Sequence, residues 1–582
     1  MSELAADSSR HRHFAIRLIR LGGRRMGGSL LIGALGAAAG PGLAADQVRA
    51  TLELQPVVSE HAAEMRVVEH LPADMLPSGQ TLTLAFATMA PAYRRTADTV
   101  QSLVAQDDLG PLPLVGPTRE DNDDLWRAGR ATHGDVLVRY VVPAAPHDVP
   151  HRGPITYLQN SGGGLSGAFE SFLLAPRVDA PIDIAVRWRL PAGQHAVSNL
   201  QIGDFTRRTT FSELAGTLFV AGPLRYAPQR LSDRTLVVAG LGRPAEDVVR
   251  ARQWFAKVFP VMRDAFQGDP RLGYRIMFFS HDRQSFDSGT SRSGGFLYFL
   301  PVDARLDDQK NHSIIAHEMV HSLVAGYLPD TDGPGDWYNE GIADYAALVV
   351  PNAAGLYTPR EYLDLVNAEA AFYYLNPLRQ TPNAEIAETK WSKNNAWSLG
   401  YTRGALYFAN LDAGLLAHGA KLTVIDLVGK MNALGEDHSL GPDDWERVLQ
   451  QSAGPWALSE WRAMLAGQLL QPVPGAFGPC LVARPITAGH YALGFSTNTM
   501  GKGDRVAHVV PGSSAFNAGL RDGDILREAF VEHGLNERYD SQATVKVTRD
   551  GKALDITYSP REGKELAYRW FPRSGNPDRP CD

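Results

Sequence analysis

An α+β domain set between two β-domains is the fold class this sequence predicts, and three observations predict it. Residues from about 46 to 225 carry short runs of alternating apolar and polar residues broken by Pro and Gly, as in a β-sandwich. Near 226 the pattern changes to strand, helix, strand, and from 311 to about 470 helical periodicity dominates. After 480 strands and glycine turns return. The chain has 582 residues, enough for three or four domains. Its 44% hydrophobic and 21% charged content is that of a soluble globular protein with ample material for cores.

Taken in order, residues 1–44 read as a secretory signal. Residues 1–25 hold six Arg and two acids, residues 26–40 are small and apolar, and Gly42-Leu43-Ala44 offers small residues at a cleavage site. Its removal takes the net charge from −7 to −11. The apolar run, about 15 residues, is short for a membrane span; a retained anchor is the alternative. Arg24-Arg25 resembles a twin-arginine signal, but Met-Gly-Gly follows where hydrophobic residues are usual. No other segment is apolar enough to span a bilayer, and the charge gives no sign of a nucleic-acid partner. The expected location is the periplasm or outside the cell.

The first domain, 45–225, should hold strands at Thr81–Thr88, Asp135–Val142 and Asp183–Arg189. The second, 226–475, opens with a strand at Leu236–Gly240 and a helix at Glu246–Phe259, with Val249, Trp254, Phe255, Val258 and Phe259 as its apolar contacts. Pro260 should end or kink that helix. Strands follow at Tyr274–Phe279 and, after a Ser/Gly-rich stretch, at Phe296–Leu300.

Chemistry concentrates in His317-Glu318-Met319-Val320-His321. Residues four apart share a helix face, so His317 and His321 can aim two imidazoles at one metal ion. Ile314, Ile315, Met319, Leu323 and Val324 supply the apolar faces of that helix. Eighteen residues (322–339) separate His321 from Glu340, and they include Gly326, Pro329, Asp330, Asp332, Gly333, Pro334 and Gly335, a turn cluster that returns a second helix across the first. That second helix carries Glu340 and Asp344 four apart. Zn²⁺ takes two His nitrogens and one carboxylate oxygen and keeps a position for water. Glu340 is the third ligand on this reading. Glu318 is placed to take a proton from the water. Asp344 would accept the second ring N–H of a ligand His and fix its tautomer.

HExxH followed after 18 residues by Glu340, within Asn339-Glu340-Gly341, resembles the gluzincin pattern of the aminopeptidase families, and Glu340-xxx-Asp344 is similar to the third-ligand helix of thermolysin. The resemblance implies a thermolysin-like α+β catalytic domain with a zinc cofactor. Tyr401-Thr402-Arg403-Gly404 resembles the Tyr-x-Lys-Gly segment of those aminopeptidases, with Arg403 in place of Lys. It implies that Tyr401 donates a hydrogen bond to the oxyanion of the tetrahedral intermediate; a tyrosine half-buried at a helix start is the alternative. In these families an edge strand beside the zinc takes the substrate by strand addition. Gly294-Gly295-Phe296 stands where that strand is expected, and a plain hairpin turn is the competing reading. The chain departs from the pattern here, because residues 288–301 contain no Glu to hold a free substrate amine, and the nearest preceding acid is Asp287.

In the last domain, 480–582, Tyr491-Ala492-Leu493-Gly494-Phe495 resembles the carboxylate-binding loop of PDZ domains. Val509–Ala515 and Ala518–Ile525 are similar to the PDZ core signature, with a short helix from near Ser514. Strands Ala543–Thr548 and Ala553–Ile556, joined by Asp550-Gly551, would close the fold. The backbone N–H groups of Leu493, Gly494 and Phe495 could cradle the carboxylate of a C-terminal peptide ligand; a domain that packs and binds nothing is the alternative. Cys480 and Cys581 bracket this segment, as a bridge or as two free thiols.

Together the three parts resemble the glycyl aminopeptidase family of zinc metallopeptidases. The implied function is an exported peptidase, aminopeptidase-like, acting on peptides or proteins. Two alternatives remain: an endopeptidase that recruits substrate C-termini through the PDZ domain, and a non-catalytic PDZ binding protein.

Overall fold

The structure is a computed structural model. It describes residues 50–581 except 76–80, 88, 91–92, 95–98, 121–122, 146–155, 179, 282–287, 303, 307–308, 329–332, 391–394, 497–500, 531 and 533. The signal read at 1–44, Asp287 and part of the 322–339 turn cluster lie outside the described residues. Among these no helix is long and apolar enough to cross a membrane. The chain divides into two compact units. Among the described residues, one holds 50–256 together with 269–311, and the other holds 257–268 together with 312–581.

In the first unit a seven-stranded sheet is built around Ala50–Val58, Ala63–Leu71, Val136–Pro143 and Ile182–Trp188. Its inward residues alternate, as in Val136, Val138, Tyr140 and Val142, so the period-2 signal reports a half-buried strand. Two four-stranded sheets accompany it, one running through Thr83–Ala87 and the other through Leu218–Gly222. The strands expected at 81–88, 135–142 and 183–189 therefore appear with ends moved by one or two residues.

The same unit holds a five-stranded sheet: β1 (Arg225–Ala227), β2 (Leu236–Leu241), β3 (Tyr274–His281), β4 (Ser288–Arg292) and β5 (Gly295–Pro301), in the order β1-β2-β3-β5-β4. One face buries Val237, Ala239, Met277, Phe279, Leu297 and Phe299 against Val197, Leu218 and Val220. The Ser/Gly-rich stretch is itself a strand, β4, with Thr290 facing Leu297 across the pair. Ser293-Gly294 turns between β4 and β5, and Gly294 has φ +85°. Gly295 and Phe296 belong to β5, which bonds to β3 on one side and β4 on the other. The expectation that 294–296 takes a peptide by strand addition is thereby corrected: one residue lies in a hairpin turn, and the other two in a strand whose edges are both occupied. The outer strands of this sheet are β1 and β4.

The first long helix, α1 (Ala245–Ala265), continues through Pro260. Val248, Ala251, Phe255, Val258, Phe259 and Met262 are buried, and a buried stripe on both sides of the proline outweighs one missing hydrogen bond. Val249, expected inward, is 47% exposed; the apolar stripe runs one residue earlier, through Val248.

The second unit is mainly helical: α2 (Gln309–His321), α3 (Asp336–Ala353), α4 (Pro359–Tyr374), α5 (Asn383–Thr389), α6 (Ser398–Ala417), α7 (Val424–Gly435), α8 (Pro442–Ser452) and α9 (Pro455–Leu465). Residues 309–311 of α2 count with the first unit. Thr358 and Thr423 cap α4 and α7 with reciprocal capping boxes to Glu361 and Asp426. Trp337, Tyr407, Phe408 and Trp445 meet as an aromatic core among α3, α6 and α8.

The C-terminal part belongs to this unit. A long pair, β6 (Leu481–Tyr491) with β10 (Arg561–Pro572), stands beside a three-stranded sheet of β7 (Ile525–Leu526), β8 (Ala543–Arg549) and β9 (Lys552–Tyr558). A short helix, α10 (Ser514–Asn517), starts at its Ser513 cap. Asp550 and Gly551 both have positive φ, +49° and +75°, as the tight β8–β9 turn requires. This part is held on α4. Asn367 pairs with both backbone groups of Trp570 at 2.8 and 2.9 Å, and Ala371 and Leu375 join the C-terminal core. Cys480 and Cys581 form a disulfide with Cα atoms 4.5 Å apart.

Candidate metal centre and active site

Helix α2 carries His317 and His321 one turn apart, over a face sealed by Ile315, Ala316, Met319 and Val320, all fully buried. Leu323 and Val324, expected on the same helix, fall past its end, where the chain tightens through Leu323 N–H to Val320 O. Two asparagines set the return path. Asn339 on α3 clamps both backbone groups of Tyr327 at 2.8 and 2.9 Å, and Asn432 on α7 bonds Ala325 N–H and Leu323 O. Sequence reasoning had no role for Asn339. Its partner is a loop backbone, which no spacing rule reports.

The return places Glu340 against both histidines. His317 Nε2 and His321 Nε2 are 3.0 Å apart, and Glu340 Oε2 lies 3.3 Å from the first and 3.1 Å from the second. Bonds of about 2.0–2.1 Å at tetrahedral angles put zinc donors roughly 3.3 Å from one another, so the three atoms are spaced for a single small cation. Among the described residues this is the one His/Cys/Asp/Glu group gathered so closely. Asp344, one turn beyond Glu340, accepts from His317 Nδ1 at 2.6 Å, which leaves Nε2 as the donor toward a metal. Burial works against a charge on His317, but the Asp344 and Glu340 carboxylates hold its pKa well above the ordinary value. Burial raises Glu340, yet the His321 and His317 charges outweigh it and keep that carboxyl well below the usual range.

Glu318 is 8% exposed, next to His317 on α2. Tyr401 on α6 stacks on the His317 ring, with centroids 5.7 Å apart and planes 10° apart. Burial, then the Glu340 charge, pushes its phenol well up. Helices α3 and α6 touch through two glycines. A Cβ on Gly341 would lie 2.4 Å from Gly404 Cα, and one on Gly404 2.0 Å from Trp337 O. This contact, one residue after Glu340 and three after Tyr401, fixes the distance between ligand helix and tyrosine helix. Arg403 is 1% exposed and donates to Arg379 O and Thr381 O at 3.0 and 2.7 Å, so it ties down the 379–381 segment.

In the C-terminal part, Leu493 and Phe495 are 7% and 8% exposed, and Gly494 has φ +82°. The loop is pinned at its ends, by Ala492 N–H to Pro560 O and Ser496 N–H to Ala507 O. Among the described residues, the intervening amides of 493–495 have no backbone acceptor. They line a cavity of 230 Å³ together with Tyr491, Asn395 and Glu532.

No family model and no curated protein matches the chain. Solved structures do. It is similar to an aminopeptidase N family protein from Idiomarina loihiensis at 15% identity and a TM-score of 0.67, over 90% of this chain and 97% of that one. It is also similar to an M1 zinc metallopeptidase from Deinococcus radiodurans at 18% identity and a TM-score of 0.47, over 73% and 95%. A third is yeast LTA4 hydrolase in complex with bestatin, at 16% identity and a TM-score of 0.46, over 73% and 68%. Across nearly its whole described length the chain has the fold of the aminopeptidase N family structure.

Proposed function

We propose that the chain is a zinc-dependent metallopeptidase, aminopeptidase-like, of the glycyl aminopeptidase type, exported by the signal at 1–44. The observation that carries the reading is the triangle of His317, His321 and Glu340 donor atoms at 3.0–3.3 Å, with Glu318 beside it and Asp344 behind it. His317 Nε2, His321 Nε2 and Glu340 Oε2 would hold Zn²⁺. When bound, zinc would supply Lewis-acid activation of a water and of the peptide carbonyl. Glu318 takes the proton released as water attacks that carbonyl and returns it to the leaving amine. Tyr401 donates its O–H to the oxyanion, a contact made only in the transition state. Asp344 keeps the His317 ring in one tautomer.

The amides of 493–495 favour a second role: as a PDZ-like loop they bind the carboxylate of a C-terminal peptide, with Leu493 and Phe495 anchoring the loop. That role serves recruitment and is compatible with the peptidase.

The test is mass-spectrometric digestion of a mixed peptide library by the wild type and by Glu318→Ala. Stepwise loss of N-terminal residues, abolished in the variant, is expected. Internal cuts with the same dependence make the protein an endopeptidase. A library left intact by both leaves the binding-protein reading.

A further inference from the structure

The cavity at the 493–495 loop has an acid in its wall. Leu493, Phe495 and Val510 give it apolar sides, Tyr491 and Glu532 give it polar ones, and Asn395 closes it from the segment before α6. The frame is tied down around it. Tyr491 N–H donates to Leu375 O at 2.6 Å and Val510 N–H to Gly494 O at 2.8 Å, while Asn395 O accepts from Asn376 Nδ2 at 2.8 Å and Ser398 Oγ at 3.0 Å. Among the described residues Glu532 has one side-chain partner, the Tyr491 hydroxyl, which donates to Oε1 at 2.8 Å, and no Lys, Arg or His pairs with it. Arg561 stands 5.4 Å over the Tyr491 ring, but its Nη1 donates to Pro560 O and its Nη2 to Leu535 O, Arg538 O and Ser541 Oγ. Backbone N–H groups for an anion and a carboxylate for a cation therefore share one cavity of 230 Å³.

We propose that this cavity binds the last residue of a peptide ending in Lys or Arg, with the terminal carboxylate on the 493–495 amides and the cationic side chain on Glu532; this rests on the reading of that loop as a carboxylate seat. A neutral last residue brings a carboxylate beside Glu532 with nothing to offset the like charge. A terminal Lys or Arg carries its own counter-charge and donates to Glu532 as a charge-assisted hydrogen bond. Its aliphatic stem lies along the apolar sides formed by Leu493, Phe495 and Val510. The volume falls below the roughly 300–1,000 Å³ of pockets for drug-sized ligands, which suits a single residue. Val510, 52% exposed, marks the side open to solvent, where the rest of the peptide leaves.

The test is titration calorimetry on the full chain carrying Glu318→Ala, so that peptides stay intact, and on the same chain with Glu532→Gln added, with thermal melting recorded for each. The ligands are N-acetylated peptides that differ only at the end: Lys, norleucine, or Lys with an amidated terminus. The Lys peptide should bind at least about tenfold tighter than either of the others. Glu532→Gln, which can still accept from Tyr491, should bring the Lys peptide down to the norleucine affinity and bind the norleucine peptide no worse. Equal binding of the Lys and norleucine acids, both lost on amidation, overturns the basic preference and leaves the carboxylate seat standing. A Lys preference that survives in folded Glu532→Gln overturns the assignment to Glu532. An amide that binds as well as the acid, or no binding of any peptide, overturns the carboxylate seat and the proposal together. The peptide series on the Glu318→Ala chain tests the preference without any change at Glu532.

Discussion

Glu69 lies wholly buried in strand Ala63–Leu71 and receives the Tyr140 hydroxyl on Oε1, while Oε2 has no partner among the described residues. Burial pushes its carboxyl up to about 8, against the lowering effect of that hydrogen bond. Between an unfolded value near 4.5 and about 8, the folded chain binds the extra proton, so stability falls as pH rises through that window and levels off above it. At pH 7 the cost is on the order of 3 kcal/mol. Glu69→Gln keeps the shape and removes the titration. Denaturant melts from pH 5 to 9 should show a sloping wild type and a flatter, more stable variant at pH 7; parallel profiles would contradict the assignment. At this scale the gathering of side chains was partly legible. The approach of His317 to His321 was readable because i, i+4 spacing is local. Asn339 was silent, because its partner, the Tyr327 backbone, lies in the preceding loop.

The α3–α6 contact decides where Tyr401 and Glu340 stand. Gly341 and Gly404 let the two backbones touch, and any side chain there must push them apart. Gly404→Ala is expected to lower stability by about 1–3 kcal/mol and to reduce kcat for peptide hydrolysis more than tenfold, because Tyr401 moves with its helix. Thermal melts paired with steady-state kinetics check this; a stable variant with full kcat would show that the close contact does not position the site. Element types were legible where periodicity was strong, as in Val136–Val142 or the region of α2. They were not where packing overrode pattern. Ser288–Arg292 pairs as β4 although its sequence carries no apolar alternation, since its partner β5 supplies the burial. In α1 the apolar stripe holds Val248 and leaves Val249 to solvent, a phase that only the packed structure reveals.

At the scale of the molecule, the C-terminal part is bound into the helical unit. The Cys480–Cys581 bridge closes a loop of 101 residues, worth up to about 4–5 kcal/mol in the chain-entropy model. Arg379 pairs with Glu565, and Arg360 with Asp578 at 3.0 Å, so the segments flanking the candidate site are also the seats of the last hundred residues. The shift from strands to helices and back to strands was readable from composition and periodicity, and the bridge remained open in the sequence because spacing alone cannot pair two cysteines. On the proposed function, His317, His321 and Glu340 form a metal centre that serves peptide hydrolysis. The most direct measurement is to strip the protein with a chelator and follow cleavage of a free-amine peptide while zinc is titrated back. No turnover is expected without metal, full recovery at about one zinc per chain, and none at any zinc level in Glu318→Ala. Turnover that survives chelation, or that Glu318→Ala retains, would contradict that function.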